Sequence, residues 1–203
     1  MDGLVLSNFI KFDELILARF KSYVRHNYYN CSINNAVICC NIQCSKTYLH
    51  KLINREYNCS TMRYIEYFRI LKAIEFIFEK EKEVFADVGY KSSSVFSRAF
   101  LRVTGFNARL FYSPQLKEHQ HIIQAAISLA AENPRVAIKF IINNSSIRSI
   151  LLEKKSNYKH NKETNIEQKD CEEMGIGKQE DYNETSMIQQ ESRNEEDAEQ
   201  QEI

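Results

Sequence analysis

The 203-residue chain is poor in the residues that interrupt regular structure, with only five glycines and two prolines. A β-rich fold joins many short strands by turns, and those turns draw heavily on glycine and proline. The scarcity of both residues argues against such a fold. We therefore predict an all-α protein.

The chain also lacks an apolar run that could cross a membrane. The stretch 136–142 is interrupted by Lys139, whereas a spanning helix needs about 20 residues. The first residues, Met1-Asp2-Gly3, do not have the basic flank of a signal peptide. We expect a cytoplasmic protein without a membrane partner, in a compartment that keeps its thiols reduced.

Residue spacings typical of metal sites and enzymes are missing as well. None of the six cysteines lies at zinc-finger spacing from a histidine or a second cysteine pair, so we interpret Cys39, Cys40 and Cys44 as small apolar residues. His119 and His121 are two residues apart, and on a helix their side chains point apart. No glycine-rich phosphate loop, paired carboxylates or nucleophile–base pattern is found. We predict no catalytic residue, no metal and no cofactor.

The formal net charge of zero hides a strong asymmetry. Residues 1–156 hold 22 Lys and Arg against 13 Asp and Glu, a charge of +9, and residues 157–203 hold 5 against 14, a charge of −9. A basic body suggests a polyanionic partner. From residue 156 onward the chain has too few apolar residues to fold, which predicts a disordered acidic tail. This tail either solubilises the protein or competes with phosphate for the basic face.

Hydrophobic periodicity predicts a series of helices. The first ones cover Leu15–Tyr29 and Ser32–Asn41, and the longest periodic run is Thr61–Glu79. Two further helical patterns, 116–131 and 136–152, are separated at Asn133-Pro134. We accordingly divide the chain into an apolar arm (1–14), a main domain (15–112), a helical hairpin (113–155) and the tail (156–203).

One segment of the main domain is repeated at an offset of 47 residues. Ser45–Ile53 runs parallel to Ser92–Phe100, with matching small polar, basic and core residues in each slot. We expect Ser45, and Ser92 or Ser93, to cap two short helices, and Asn107 to cap a last short helix. Two copies of a helix with small and basic residues on its outer face are typical of two DNA-reading helices in one chain.

Residues 15–112 resemble the DNA-binding domain of the AraC/XylS transcription regulators. The resemblance is carried by Ser45–Ile53, Val88-Gly89-Tyr90, Ser94–Phe100 and Gly105–Ala108. It implies two helix-turn-helix motifs joined by one long helix. Each motif would place its second helix in a major groove, the two grooves about 34 Å apart on one face of the duplex.

By position, the resemblance also implies the contacts with DNA. Arginine, lysine, serine and threonine can all read base edges, and basic side chains beside them bind phosphates without reading sequence. The predicted base contacts are Thr47, His50, Lys51, Ser93, Ser94, Ser97 and Arg98. The predicted phosphate contacts are Lys46, Arg55, Arg63 and Arg102. Promoter DNA and RNA polymerase are the implied partners.

The chain departs from the family pattern in several places. The stretch from Arg69 to Gly89 is about three residues shorter than expected, and Gln43 and Asn58 stand where glycine is common. Gln43 should be strained by about 1 kcal/mol in a left-handed conformation. Arg69 is predicted to be a buried structural partner of Glu66 or Glu75. Only about 14 residues precede the first helix, so we expect no small-molecule effector domain.

The sequence thus predicts a sequence-specific DNA-binding transcription regulator that acts as an activator. The alternative is a co-regulator whose DNA binding is impaired and which pairs with another regulator or with RNA polymerase. The shortened linker and the Ile- and Ala-rich segment 116–152 would fit this alternative.

Overall fold

In the computed structural model, the described residues are 2–80, 84–129 and 133–158, without the side chains of residues 2–10, Lys80 and Leu129. Within these ranges every regular element is a helix, so the predicted all-α fold is confirmed. Residues up to Lys154 form one compact unit, and a second unit covers Lys155–Ile203. Most of the predicted acidic tail lies outside the described residues.

The helices follow each other along the chain with short connections. The elements are α1 (Asp2–Asn27), α2 (Asn35–Ile42), α3 (Lys46–Tyr57), α4 (Thr61–Lys80), α5 (Ser93–Thr104), a 3-10 helix (Ala108–Tyr112), α6 (Pro114–Lys117), α7 (Gln120–Leu129), α8 (Pro134–Asn143) and α9 (145–158). None of the described helices is long and apolar enough to span a bilayer.

Four predicted helices need correction. The predicted helix 116–131 is divided by a turn at residues 118 and 119 into α6 and α7. Helix α1 begins at Asp2 and not at Leu15, because no proline interrupts residues 2–14 and the helix continues through the predicted arm. Helix α2 begins at Asn35, since the Asn34 side chain accepts a hydrogen bond from the Val37 amide and caps it. The predicted helix 136–152 breaks at Asn144, whose side chain accepts from the Ile147 amide at the start of α9.

A first core joins α1, α2, α3 and the first half of α4. As predicted, Ile16, Phe20 and Val24 of α1 are buried against the inner face of α3, which consists of Leu49, Leu52 and Ile53. Cys39 and Cys44 pack against this core, which agrees with their interpretation as apolar residues. Ile38 and Ile42 form the buried face of α2, and Cys40 lies on its exposed face. The interpretation of Cys40 as a packed apolar residue was therefore wrong.

A second core joins the last half of α4 with α5, the 3-10 helix and the C-terminal helices. Phe96 and Phe100 of α5 pack here, as predicted, with Ile138 and Ile141 of α8 and Leu151 of α9. Residues 114–154 are therefore docked on the main domain rather than folded around a core of their own. Helix α4 contributes buried residues to both cores, which confirms its role as the linking helix.

The two helix-turn-helix motifs are unequal. The first motif consists of α2, a turn at Gln43 and α3. In the second motif, the described residues before α5 (84–92) form turns and no helix, and Gly89 takes a positive φ of 80° there, as predicted. The shorter stretch between Arg69 and Gly89 thus falls where the first helix of the second motif would lie.

Candidate nucleic-acid interface

The sequence repeat corresponds to two matching helices. Ser45 accepts a hydrogen bond from the Tyr48 amide at 3.2 Å, and Ser92 accepts one from the Val95 amide at 3.4 Å. Both α3 and α5 are 12 residues long. Each ends at a residue in the left-handed region, Asn58 or Gly105. The offset of 47 residues therefore holds for both ends of the helix.

The predicted base-contacting residues lie on the open faces of these helices. Thr47, His50 and Lys51 of α3 are exposed, and so are Ser93, Ser94 and Arg98 of α5, whereas Ser97 is half-buried. Lys46, a predicted phosphate contact, is exposed at the first turn of α3. Each motif thus presents exposed polar and basic side chains on the outer face of its second helix, and α5 adds the exposed Val95 between Ser94 and Arg98.

A carboxylate on α1 holds α3, the first of the two helices predicted to read DNA. Arg55 donates through Nη2 to Asp13 at 2.7 Å, and the Tyr48 hydroxyl donates to the same carboxylate. The hydrogen bond from Tyr48, followed by that from Arg55, lowers the pKa of Asp13. Desolvation, followed by the bond to Asp13, raises the pKa of Tyr48 to about 12. Asp13 therefore stays ionised and ties two turns of α3 to α1.

A carboxylate on α4 holds α5, the second helix predicted to read DNA, in the same way. Arg102, which stands 47 residues after Arg55, pairs with Glu66, and Arg63 pairs with the other oxygen of Glu66. The side chains of Arg55 and Arg102 remain 59% and 53% exposed. A guanidinium group has five N–H donors, so both arginines can hold a carboxylate and a DNA phosphate together.

Asp13 and Glu66 are functional residues that the sequence analysis missed in this role. Asp13 was assigned to the arm, and Glu66 was considered only as a partner of Arg69. The spacing of Arg63 and Glu66, three residues apart on one helix, was a usable signal for that pair. Asp13 gave no local signal, because 42 residues separate it from Arg55.

Arg69 has a structural role, as predicted, but with different partners. Its guanidinium donates to the carbonyl oxygens of Tyr28 and Asn30, both at 2.8 Å, and lies 5.5 Å from the Tyr90 ring centroid. The prediction of Glu66 or Glu75 as partner was wrong. The open carbonyls that follow α1 take up the guanidinium, while Glu66 and Glu75 pair with other basic residues on α4.

The turn of the second motif packs on this same junction. A Cβ atom at Gly89 would lie 2.6 Å from the Tyr28 carbonyl oxygen and 2.9 Å from the Tyr29 carbonyl carbon. Only glycine fits such an approach, and it also adopts the positive φ at low cost. Gly89 and Arg69 therefore fix the second motif against the end of α1.

Known proteins resemble the part of the chain that contains both motifs. Residues 38–111 match the model of a family described as a helix-turn-helix domain. The matched family is of the AraC type, and the match covers about a third of the chain. The match supports a DNA-binding transcription regulator. The matched family is a DNA-binding regulatory domain and not an enzyme family.

One solved structure is also similar, the C-terminal domain of AraT, a response regulator from Geobacillus stearothermophilus. It is 22% identical in sequence, with a TM-score of 0.45, and the alignment covers 48% of this chain and 83% of that one. No curated protein matches. Among the described residues, no group of three or more His, Cys, Asp or Glu side chains could hold a metal ion.

Proposed function

We propose that the AraC-type domain reads two adjacent major grooves of a promoter with α3 and α5, and that the protein activates transcription. The observation that carries this proposal is the matched pair of helices, which have equal length, equivalent caps and equivalent arginine–carboxylate anchors. Residues 15–112 have a charge of +8, which favours a polyanion as the ligand.

In this proposal the exposed side chains divide by chemistry. Arg98 of α5 and Lys51 of α3 can donate to the O6 and N7 atoms of guanine, and the exposed hydroxyls accept or donate at several base edges. Lys46, Arg55, Arg63 and Arg102 bind phosphates and set the register. Because Arg55 and Arg102 are each held by a carboxylate, their guanidinium groups are oriented before DNA binds.

The activating step is proposed from the family resemblance. The protein would dock beside a promoter and contact RNA polymerase. Reporter transcription from a promoter carrying the selected site, with and without the protein, tests this step separately from DNA binding. A fall in transcription would show a repressor.

Selection from random duplex DNA with the full chain tests the reading of two grooves. We expect a site with two boxes about one helical turn apart. Arg98→Ala should relax the preference in one box and Lys51→Ala in the other, each by about 1–3 kcal/mol. Lys46→Ala serves as the control, because losing a phosphate contact weakens binding to all sequences and reduces the salt slope by about 1.

A co-regulator acting through protein contacts is the second candidate function. Two observations favour it: residues 84–92, directly before α5, form turns and no helix, and α8 exposes Val136 and Phe140 one turn apart. Failure of the full chain to enrich any sequence, together with specific binding to purified RNA polymerase, would support this function over the first.

A further inference from the structure

Helix α8, which follows the family-matched region, contacts the rest of the domain on several sides. It packs on α4 and α7 and touches α5, and its residues Ala137, Ile138 and Ile141 are buried in the second core. The position of α8 is therefore fixed relative to the second reading helix.

One residue of α8 reaches the other motif. Arg135 donates through Nη1 to the carbonyl oxygen of Asn58 at 3.4 Å, and its guanidinium carbon lies 5.9 Å from the centroid of the Tyr67 ring. Arg63 approaches the same ring at 6.0 Å. The charges of Arg135 and Arg63 both oppose the rise that burial causes in the pKa of Cys59, the residue after Asn58. Arg135 thus lies against the segment that joins α3 to α4.

Asn58 is the residue that ends the first reading helix. It takes a φ of 51°, and its amide donates to the Asn54 carbonyl oxygen at 2.9 Å. A side chain bound to the Asn58 carbonyl oxygen therefore holds the C-terminal end of α3. Through Arg135, that end is connected to a helix of the second core, and so to α5.

We propose that Arg135 is a positioning residue that fixes α3 relative to α5, and that the C-terminal helices thereby set the spacing of the two DNA boxes the protein accepts. This inference rests on the proposed reading of two grooves. Two reading helices on one rigid frame gain affinity from binding both boxes together, but only when the spacing of the boxes matches that of the helices.

The test uses the full chain and duplexes that carry both selected boxes at the preferred spacer, at spacers one or two base pairs longer or shorter, or either box alone. For Arg135→Ala we expect about a fivefold loss of affinity at the preferred spacer, a magnitude typical of one lost cation–π contact. The penalty for an altered spacer should shrink, while affinity for each single box and the salt slope stay unchanged.

Arg148→Ala is the matched control. Arg148 is an exposed arginine of the same C-terminal segment, and its guanidinium bonds to Asn143 Oδ1 at 3.4 Å. This variant should bind every duplex as the unmodified chain does. If Arg135→Ala lost as much affinity for each single box as for the double site, with a smaller salt slope, Arg135 would be a phosphate contact. That result would overturn the proposal. Unchanged binding to every duplex would overturn it as well.

A second measurement does not depend on DNA. Hydrogen–deuterium exchange of Arg135→Ala should show several-fold faster exchange in the last turn of α3 and unchanged exchange in α5. Equal protection of α3 in both proteins would refute the positioning role even if the unmodified chain proved not to bind DNA. Absence of DNA binding by the unmodified chain would count against the proposed function alone.

Discussion

The two motifs present nearly identical second helices, α3 and α5, on different supports. Helices α3 and α5 share their length, a serine cap and an arginine bound to a carboxylate of a preceding long helix. The first motif, however, rests on α2 and has Gln43 and Asn58 in the left-handed region, whereas the second rests on turns and has Gly89 and Gly105.

The caps and the arginine–carboxylate pair are common to α3 and α5, whereas the elements that support each helix differ. Caps and a charged anchor fix the ends and the rotation of the helix, and both motifs have them. Support can come from elsewhere: the second core includes α8 and α9, which follow the family-matched region. The core of the second motif therefore includes the C-terminal helices, whereas the core of the first motif contains none of their residues.

Removing core volume from α8 should have the largest effect on the difference in stability between the two motifs. Ile141 is fully buried in the second core, and Ile141→Ala should reduce the free energy of unfolding by about 2–5 kcal/mol. Urea unfolding measures this loss, with Val136→Ala, 54% exposed on the same helix, as a control of small effect. In hydrogen exchange, α5 should lose protection before α3 does. Equal loss in both helices would show that the second motif does not depend on the core around Ile141 more than the first motif does.

Substitution of the two glycines of the second motif by alanine should lower the free energy of unfolding by different amounts. Both have a positive φ near 80°, but a Cβ at Gly89 meets the backbone of Tyr28 and Tyr29, while a Cβ at Gly105 meets nothing within 4 Å. We expect Gly89→Ala to cost about 3 kcal/mol from backbone strain and overpacking. Gly105→Ala should cost about 1 kcal/mol from strain alone. Equal losses in urea unfolding would show that the close approach at Gly89 is relieved by a small shift.

How far the sequence could predict the structure depended on the range of each interaction. The caps at Ser45 and Asn107 were predicted because the capping side chain and its amide are two or three residues apart. The inward faces of α1, α3 and α5 followed from helical periodicity. The bonds of Asp13, Arg69 and Arg135 were not predicted, since they join residues about 40 to 80 positions apart. Periodicity carries no information on such distant partners.

The exposed residues that are predicted to contact bases illustrate the same limit. Exposure of Thr47, His50 and Lys51 could be predicted from the positions of Leu49, Leu52 and Ile53 on the same helix. Their roles as base contacts stay predictions, because a base contact depends on the docking of the protein on DNA. The need for glycine at residue 89 was predicted because the turn there calls for a left-handed conformation. Its close approach to Tyr28 became evident only in the structure.

Replacing Gln43, one of the two left-handed residues of the first motif, should increase stability. Gln43 has a φ of 58° in the turn before α3, as Gly89 has a positive φ in the turn before α5. Gln43→Gly should raise the free energy of unfolding by about 1 kcal/mol, because the strain of a side chain in this region is removed. Asn58→Gly is the control and should gain less, since asparagine tolerates the left-handed region better. No gain for Gln43→Gly would mean that the side chain has favourable contacts that offset the strain.

The smallest effect should come from the anchor on α1, and it should depend on pH. The lowered pKa of Asp13 means that its bonds with Tyr48 and Arg55 stabilise the fold above the ordinary pKa of an aspartate, and that this contribution is lost as the pH falls through the lowered value. Asp13→Asn should therefore melt at a slightly lower temperature than the unmodified chain at pH 7, and the difference should shrink as the pH falls towards 3.

Thermal melts at both pH values measure this difference. The effect is small because Arg55 is well exposed and water screens the pair. Glu56→Gln removes the other carboxylate bound to Arg55 but leaves Asp13 in place, and it is the matched control. A constant difference between Asp13→Asn and the unmodified chain across this pH range would show that packing of the side chain, and not its charge, holds α3 against α1. The parallel between the Asp13 and Glu66 anchors would then be geometric only.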